Sequence, residues 1–267
     1  MNKSKIFLIL ALLGNLHIGA FAQQIRSKVL LKKTEKALYN IKTLTYKIHR
    51  TDKYFSTNDT IKNSAIGTLY IKPDDEIGTY YILHSKSTNK KYNYNKYDGK
   101  YTFSLFYNID SLNQTKKISL EDVSTNNYNS IKGTFVSNYL INDFFKKKNI
   151  FKQYRSVLAK LLLKKLTTEE STYKGTPVYV FTAYGKDKPH ENRINSSVDK
   201  YYIRKSDFLP IAHSFYGEFQ GMKETEFTEI EYLEINPKLS EDVFKIDPTV
   251  KEIAPKAYYE EIKKYQL

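Results

Sequence analysis

Outside the first 22 residues the chain has four histidines, His49, His84, His190 and His213. No two stand at metal-ligand spacing and no His-Glu-x-x-His occurs, so the sequence writes no metal site. The absence of cysteine excludes thiolate nucleophiles, Cys-ligated zinc, structural disulfides and a Cys-anchored lipid together. Two carboxylate groupings remain. Asp74-Asp75-Glu76 follows Pro73 as a turn cluster that could attract a cation. Glu224 and Glu226 alternate on one strand face, where neighbouring carboxylates shift apart in pKa and could divide acid and base roles. Gly-x-Ser-x-Gly, a phosphate-binding glycine loop and a dinucleotide fingerprint are all missing. The polar loop 187–195, which carries His190, reads as surface. Nothing assembles a nucleophile, a base and an oxyanion donor. The chain reads as non-enzymatic, with no catalytic residue and no cofactor, and an exported hydrolase with dispersed carboxylates is a rival.

The elements that would position any site begin with a leader. Lys3 and Lys5 precede the apolar run Ile6 to Leu13, and Ala20-Phe21-Ala22 places small residues where a signal peptidase reads them. The run is far short of the roughly 20 residues of a membrane span. Cleavage after Ala22 removes two lysines from a formal charge of +14, and the remainder is expected to be periplasmic or secreted. Only five of the 43 basic residues are arginine, which argues against base readout of nucleic acid, since readers of bases lean on the Arg fork. A lysine-rich surface could instead meet an anionic membrane.

Hydrophobic periodicity gives the rest. Val29, Leu30, Lys33, Lys36, Ala37 and Ile41 follow helical spacing, and the period becomes two at Leu44, Tyr46 and Ile48. Strands follow over Ile61–Lys72, Ile77–Ser85, Lys91–Tyr97 and Lys100–Ile109, with Asp98-Gly99 as a two-residue hairpin signal. Residues 112–137 read as a polar loop with a short strand or helix inside it. Two amphipathic helices then carry Tyr139, Leu140, Phe144 and Phe145, and Ile150, Tyr154, Val157, Leu158, Leu161 and Leu162. Strands resume at Leu166–Tyr173, Pro177–Tyr184, Val198–Arg204, Leu209–Phe219 and Thr225–Ile235. Pro177–Tyr184 is apolar on both faces, as a central covered strand should be. The glutamates of the last strand, in both registers, put it near an edge or a wet surface. Residues 256–265 read as a short terminal helix or tail. No linker or composition break appears, so residues 23–267 are expected to form one domain, with a split near Ser137 as the alternative. The fold class is α+β: a large curved antiparallel sheet, a half-barrel, with an N-terminal helix and a central helical pair packed on its concave face.

Asp199-Lys200-Tyr201-Tyr202-Ile203-Arg204-Lys205, then Phe208-Leu209-Pro210-Ile211, then Tyr232-Leu233-Glu234-Ile235-Asn236-Pro237-Lys238-Leu239 and Val243-Phe244-Lys245-Ile246 make an ordered series. It resembles the closing strands, the Asn-initiated turn and the C-terminal Phe of the LolA/LolB/RseB half-barrel family of periplasmic lipoprotein carriers and sensors. A similar module stands ahead of thioredoxin-like domains in some exported proteins. The resemblance implies a curved sheet that holds or senses a lipid, a lipidated protein or another apolar molecule. No residue matches those by which family carriers receive or release lipoproteins.

On this reading the concave face would be lined by Tyr101, Phe103, Leu105 and Tyr107, with Leu44, Tyr46, Tyr80 and Ile82 from neighbouring strands. Aromatic residues suit such a face, since each buries a large apolar area and Tyr can keep its hydroxyl wet. The same residues would equally form an ordinary core beneath the helices. In that case the protein would be a structural or interaction module that binds a protein partner or a membrane surface.

Overall fold

The alternation that begins at Thr43 organises the chain into one antiparallel sheet of eleven strands in the computed structural model, which describes residues 27–54, 59–72, 74–75, 78–88, 91–108, 117–122, 163–185 and 196–247. The first six strands are β1 (Thr43–Lys53), β2 (Ile61–Ile71), β3 (Thr79–Ser87), β4 (Lys91–Tyr97), β5 (Tyr101–Asn108) and β6 (Lys117–Asp122). The other five are β7 (Leu163–Tyr173), β8 (Thr176–Gly185), β9 (Ser196–Arg204), β10 (Pro210–Phe219) and β11 (Met222–Ile235). The spatial order β6-β5-β4-β3-β2-β1-β11-β10-β9-β8-β7 is two meanders joined where β1 pairs with β11. Among the described residues one α-helix, α1 (residues 27–39), packs on the sheet. This is the curved α+β architecture the periodicity implies. Among the described residues no helix is long and apolar enough to cross a membrane.

Register decides which side chains share a face. Leu44, Tyr46 and Ile48 stand opposite Leu69, Gly67 and Ala65, which continue through Tyr81 and Leu83 on β3. On the other meander Ile230, Tyr201 and Phe181 follow in the same row pattern. Leu30, Leu31, Leu38 and Ile41 from α1 and its exit close over this face in a single core. We call it the inner face. Gly67 has a packing reason: a Cβ there would come within 2.4 Å of the fully buried Tyr46 side chain.

Several expectations shift on contact with the structure. The β4–β5 turn is centred on Gly99-Lys100 rather than Asp98-Gly99, because Asp98 already pairs with Tyr101 and its carboxylate accepts the N–H groups of Lys100 and Tyr101 at 2.9 and 2.8 Å. Gly99, at φ 99°, takes the first central position. β8 is buried on both faces but lies next to an end of the sheet, not at its centre. β11 is interior, between β1 and β10, and its glutamates stand on both faces, Glu226 paired with Arg50 on one and Glu229 with Lys174 on the other. Of the short strand or helix expected within residues 112–137, the described residues show a strand, β6. The leader 1–22, the helical pair over residues 139–162, the loop 187–195 and the tail 256–265 lie outside the described residues.

After β11 the chain straps across strand ends. Asn236, at φ 57°, accepts the N–H groups of Lys42 and Thr43 at 2.7 and 3.3 Å and donates to the Asn40 carbonyl at 3.2 Å. Asn tolerates the left-handed region better than most residues, which explains its place at this turn. A 3₁₀ turn (Glu241–Phe244) then buries Phe244 completely, its ring 6.2 Å from Tyr70 and 6.3 Å from Tyr80. Beyond it the Ile246 N–H donates to Asp98 at 3.0 Å. Phe244 thus tucks the closing segment against β2 and β3.

Candidate functional site

The inner face beneath α1 is filled by the protein itself. Leu44 and Tyr46 are 0% exposed and Tyr81 5%, so among the described residues these side chains are covered. Space opens instead at the margin, where α1 approaches β7, β8 and the β9–β10 turn. There a cleft of about 390 Å³ is lined by Val29, Leu30, Lys33, Thr168, Glu169, Glu170, Tyr179 and Phe208. That volume lies within the range of small-molecule sites.

Its floor is aromatic. Tyr179 and Phe208 lie nearly parallel, 6° between planes and 6.3 Å between centroids. Lys33 Nζ stands 4.7 Å from the Phe208 ring centre and Lys205 Nζ 5.1 Å from that of Tyr179, close enough for cation–π attraction. Lys205 also pairs with Glu170 at 2.5 Å. On the other side Ser27 and Thr168 share a hydrogen bond of 2.7 Å that fixes the start of α1 to β7. The cleft therefore offers two flat apolar rings below and a mixed rim of ammonium and carboxylate groups above.

Phe208 owes its position to backbone strain. Its φ of 61° is rare for a bulky residue. The turn enforces it: Phe208 N–H donates to the Arg204 carbonyl, and Arg204 N–H to the Leu209 carbonyl, both at 2.9 Å. Asp207 accepts the Leu209 N–H at 3.1 Å and grips the Arg204 guanidinium with contacts from 2.6 to 3.1 Å. That hydrogen bonding to Asp207 raises the Arg204 pKa further, so the clamp stays charged. Strain held by a bidentate ion pair is the kind of feature that collects at binding sites.

A polar cluster lies elsewhere on the inner face. Arg50 Nε donates to both Asp52 oxygens at 2.7 and 2.9 Å, and its Nη2 lies 3.1 Å from Glu226. Burial, then the neighbouring Glu226 carboxylate, holds Glu224 above the ordinary carboxylate value. Glu226, the other member of the Glu224/Glu226 pair, is in an ion pair with Arg50. His213 Nε2 meets Asp199 at 3.1 Å beside the Tyr201 ring.

The eight residues proposed from sequence to line one surface divide between two. Leu44 and Tyr46 belong to the inner face. Tyr80 and Ile82 alternate with the inner-facing Tyr81 and Leu83, so they point to the outer face, where Tyr101, Phe103 and Leu105 also stand. Phe103 and Leu105 are buried; Tyr80, Ile82 and Tyr101 are half-buried. Tyr107 is in register with Tyr92. The cleft residues were not singled out from sequence. The available signal was a large apolar residue, Phe208, in a turn whose other members are Lys205, Ser206 and Asp207.

No family model matches the chain, and no curated protein matches its sequence. Solved structures do match. LppX, a lipoprotein of Mycobacterium tuberculosis, has 10% identity and a TM-score of 0.44 over 80% of this chain and 98% of its own. LprF from Mycobacterium bovis has 6% identity and a TM-score of 0.43 over 82% and 96%. A LolA superfamily protein from Nitrosomonas europaea has 10% identity and a TM-score of 0.29 over 83% and 98%. These are distant likenesses to solved structures, and the chemistry must come from this chain's own residues.

Proposed function

We propose that this chain is a non-enzymatic binding protein of the cell envelope, periplasmic or secreted, which holds or senses an apolar ligand such as a lipid or a lipidated protein. The observation that carries the reading is the half-open cleft over the stacked Tyr179 and Phe208 rings, with Lys33 at its rim. Flat rings suit a hydrocarbon chain, and an ammonium rim suits an anionic head group. Burying about eight methylenes there would contribute roughly 6 kcal/mol before ordering costs, which corresponds to affinity of tens of micromolar or weaker. The lysine-rich surface adds attraction to anionic membranes. The LolA-like closing segment read from sequence is consistent with this role. So is the half-barrel architecture.

The experiment is retention. Protein stripped of bound lipid is incubated with an isotope-labelled envelope lipid extract, re-purified and analysed by native mass spectrometry. One ligand of defined mass per chain is expected, reduced when Val29→Glu puts a carboxylate into the cleft. Recovery of bare protein only would defeat the reading. The full burial of Leu44 and Tyr46 supports a second reading: an interaction module whose basic surface meets a protein partner or a membrane.

A further inference from the structure

We propose that the turn of the β7–β8 hairpin is a latch on the outer face, and that its release speeds ligand exchange at the cleft. The latch is Tyr173 and Lys174 closing on Glu229. In the sheet β8, β9 and β10 lie between β7 and β11, so four strand spacings separate these residues. At about 4.8 Å each that is roughly 19 Å in a flat sheet, more than a tyrosine and a glutamate side chain span together. Yet the Tyr173 hydroxyl donates to Glu229 Oε1, and Lys174 Nζ stands 2.5 Å from the same oxygen. The end of the hairpin therefore curls over the outer face.

The floor of that contact is a row of register partners. Tyr202 on β9 stands opposite Ala212 on β10, and Ala212 opposite Glu229 on β11. The Tyr173 ring lies against Tyr202, with 4.9 Å between centroids and 43° between planes. Ala212, small and fully buried, stands between Tyr202 and Glu229 in the row. Lys174-Gly175, at φ 47° and 82°, make a two-residue turn that brings the adjacent Tyr173 and Lys174 side chains onto one carboxylate. Lys174 Nζ also lies 5.7 Å from the Tyr173 ring centre. Burial opposes the Glu229 charge, but the bonds from Lys174 and Tyr173 outweigh it and hold the carboxyl below its ordinary value. The latch is polar and made by side chains alone, so it can part while the sheet stays folded.

The same hairpin walls the cleft. β7 supplies Thr168, Glu169 and Glu170, and β8 supplies Tyr179. None of the eleven residues of β7 is buried, so little packing fixes it, and such segments are the ones that open locally. Among the described residues β8 pairs with β9 as far as Val178–Arg204, and the Lys205 N–H donates to the Pro177 carbonyl at 3.0 Å. Residues 171–176 overhang that support. β7 stays in register with β8 from Lys165–Tyr184 to Tyr173–Thr176, so a shift of the turn is carried along a paired ribbon to Glu170 and Glu169. Latched, the wall is held by Thr168 on Ser27 of α1, by Glu170 on Lys205 and by the turn on Glu229. Glu170 is largely exposed, so its ion pair holds weakly. With the turn released, the wall moves about its Thr168 end. A ligand then enters and leaves faster with little change in affinity, because no cleft contact is lost. The effect on exchange presumes that the cleft is the binding site; the latch itself does not.

The Lys174–Gly175 bond is a trypsin site, which reports on the turn without any ligand. Full chain carrying Glu229→Ala or the milder Tyr173→Phe, each shown folded by circular dichroism, should be cut there about tenfold faster than wild type under native conditions, since cleavage tracks the open population. Mass spectrometry of the first fragments identifies the bond. Glu231→Gln, two residues along the same face of β11, should leave the rate unchanged. In stopped-flow measurements with a fluorescent fatty acid, both latch variants should raise the association and dissociation rates by a similar factor and keep Kd within about twofold. Unchanged cleavage in both latch variants overturns the latch, whatever the cleft binds. Faster cleavage with wild-type exchange rates overturns its coupling to the cleft. A wild type that binds no fatty acid overturns the cleft reading and the exchange that depends on it, and trypsin still decides the latch.

Discussion

Replacing Phe208 separates the fold from the site. The half-buried ring contributes about 2 kcal/mol of apolar burial, while its left-handed backbone costs about 1 to 2 kcal/mol. Phe208→Ala discards the burial and keeps the strain, so it should destabilise the protein by about 2 kcal/mol. Phe208→Gly discards both, against a greater loss of chain entropy on folding, and should be about 1 kcal/mol more stable than the alanine variant. Ligand affinity should behave differently. Both variants lose the same aromatic floor beside Tyr179, and both should bind a labelled fatty acid about tenfold more weakly. Urea denaturation monitored by tyrosine fluorescence gives the first pair of values, and titration of the stripped protein gives the second. Equal stability of the two variants would refute the strained turn. Undiminished binding in both would refute the cleft as the site.

Three other expectations rest on single features. Phe244→Ala should cost about 3 to 4 kcal/mol in urea denaturation, because a fully buried ring wedged against Tyr70 and Tyr80 leaves a cavity. His84 should make the protein acid-sensitive. Burial lowers its pKa from 6.5 to about 4, so the unfolded chain takes up the proton first as pH falls between those values. Its contribution is complete above pH 6.5, and about 3 kcal/mol is lost by pH 4; His84→Gln should flatten that part of the stability–pH curve. Gly67→Ala should cost about 2 to 3 kcal/mol, since the new methyl displaces the Tyr46 ring, and thermal melts of Gly67→Ala with and without Tyr46→Leu should show strong non-additivity.

Strand positions were legible in the sequence where apolar and polar residues alternate, as in β1, and in β8 where an apolar run is bounded by turn residues. Leu44, Tyr46 and Ile48 announced β1 within a residue of its start. Turn chemistry was legible where glycine was needed, but Asp98-Gly99 misplaced the turn by one residue because the Asp98 carboxylate caps the hairpin from outside it. The grouping of Tyr80 and Ile82 with Leu44 and Tyr46 could not be read, because which face of β3 joins which face of β1 depends on the phase of β2 between them. The cleft was invisible for a different reason. Tyr179, Phe208, Lys33 and Thr168 come from four separate elements, and periodicity says nothing about where a helix end meets a strand. Closing-segment signals fared better, since Asn236 and Phe244 act locally on backbone they directly touch.

Among the described residues the two meanders pair strand to strand only along β1 and β11, where Leu44 lies opposite Ile235. Every other strand pair among the described residues joins sequence neighbours, so each half can zip up from its own hairpins without help from the other. Closing the seam is another matter: drawing together segments that far apart along the chain costs about 5 kcal/mol in loop entropy before any contact repays it. Folding should therefore stall as two half-formed leaves, each with a sticky underside, until α1 lays its leucines across both. A helix that looks like trim on the finished molecule would then be the latch that keeps the newborn protein from aggregating.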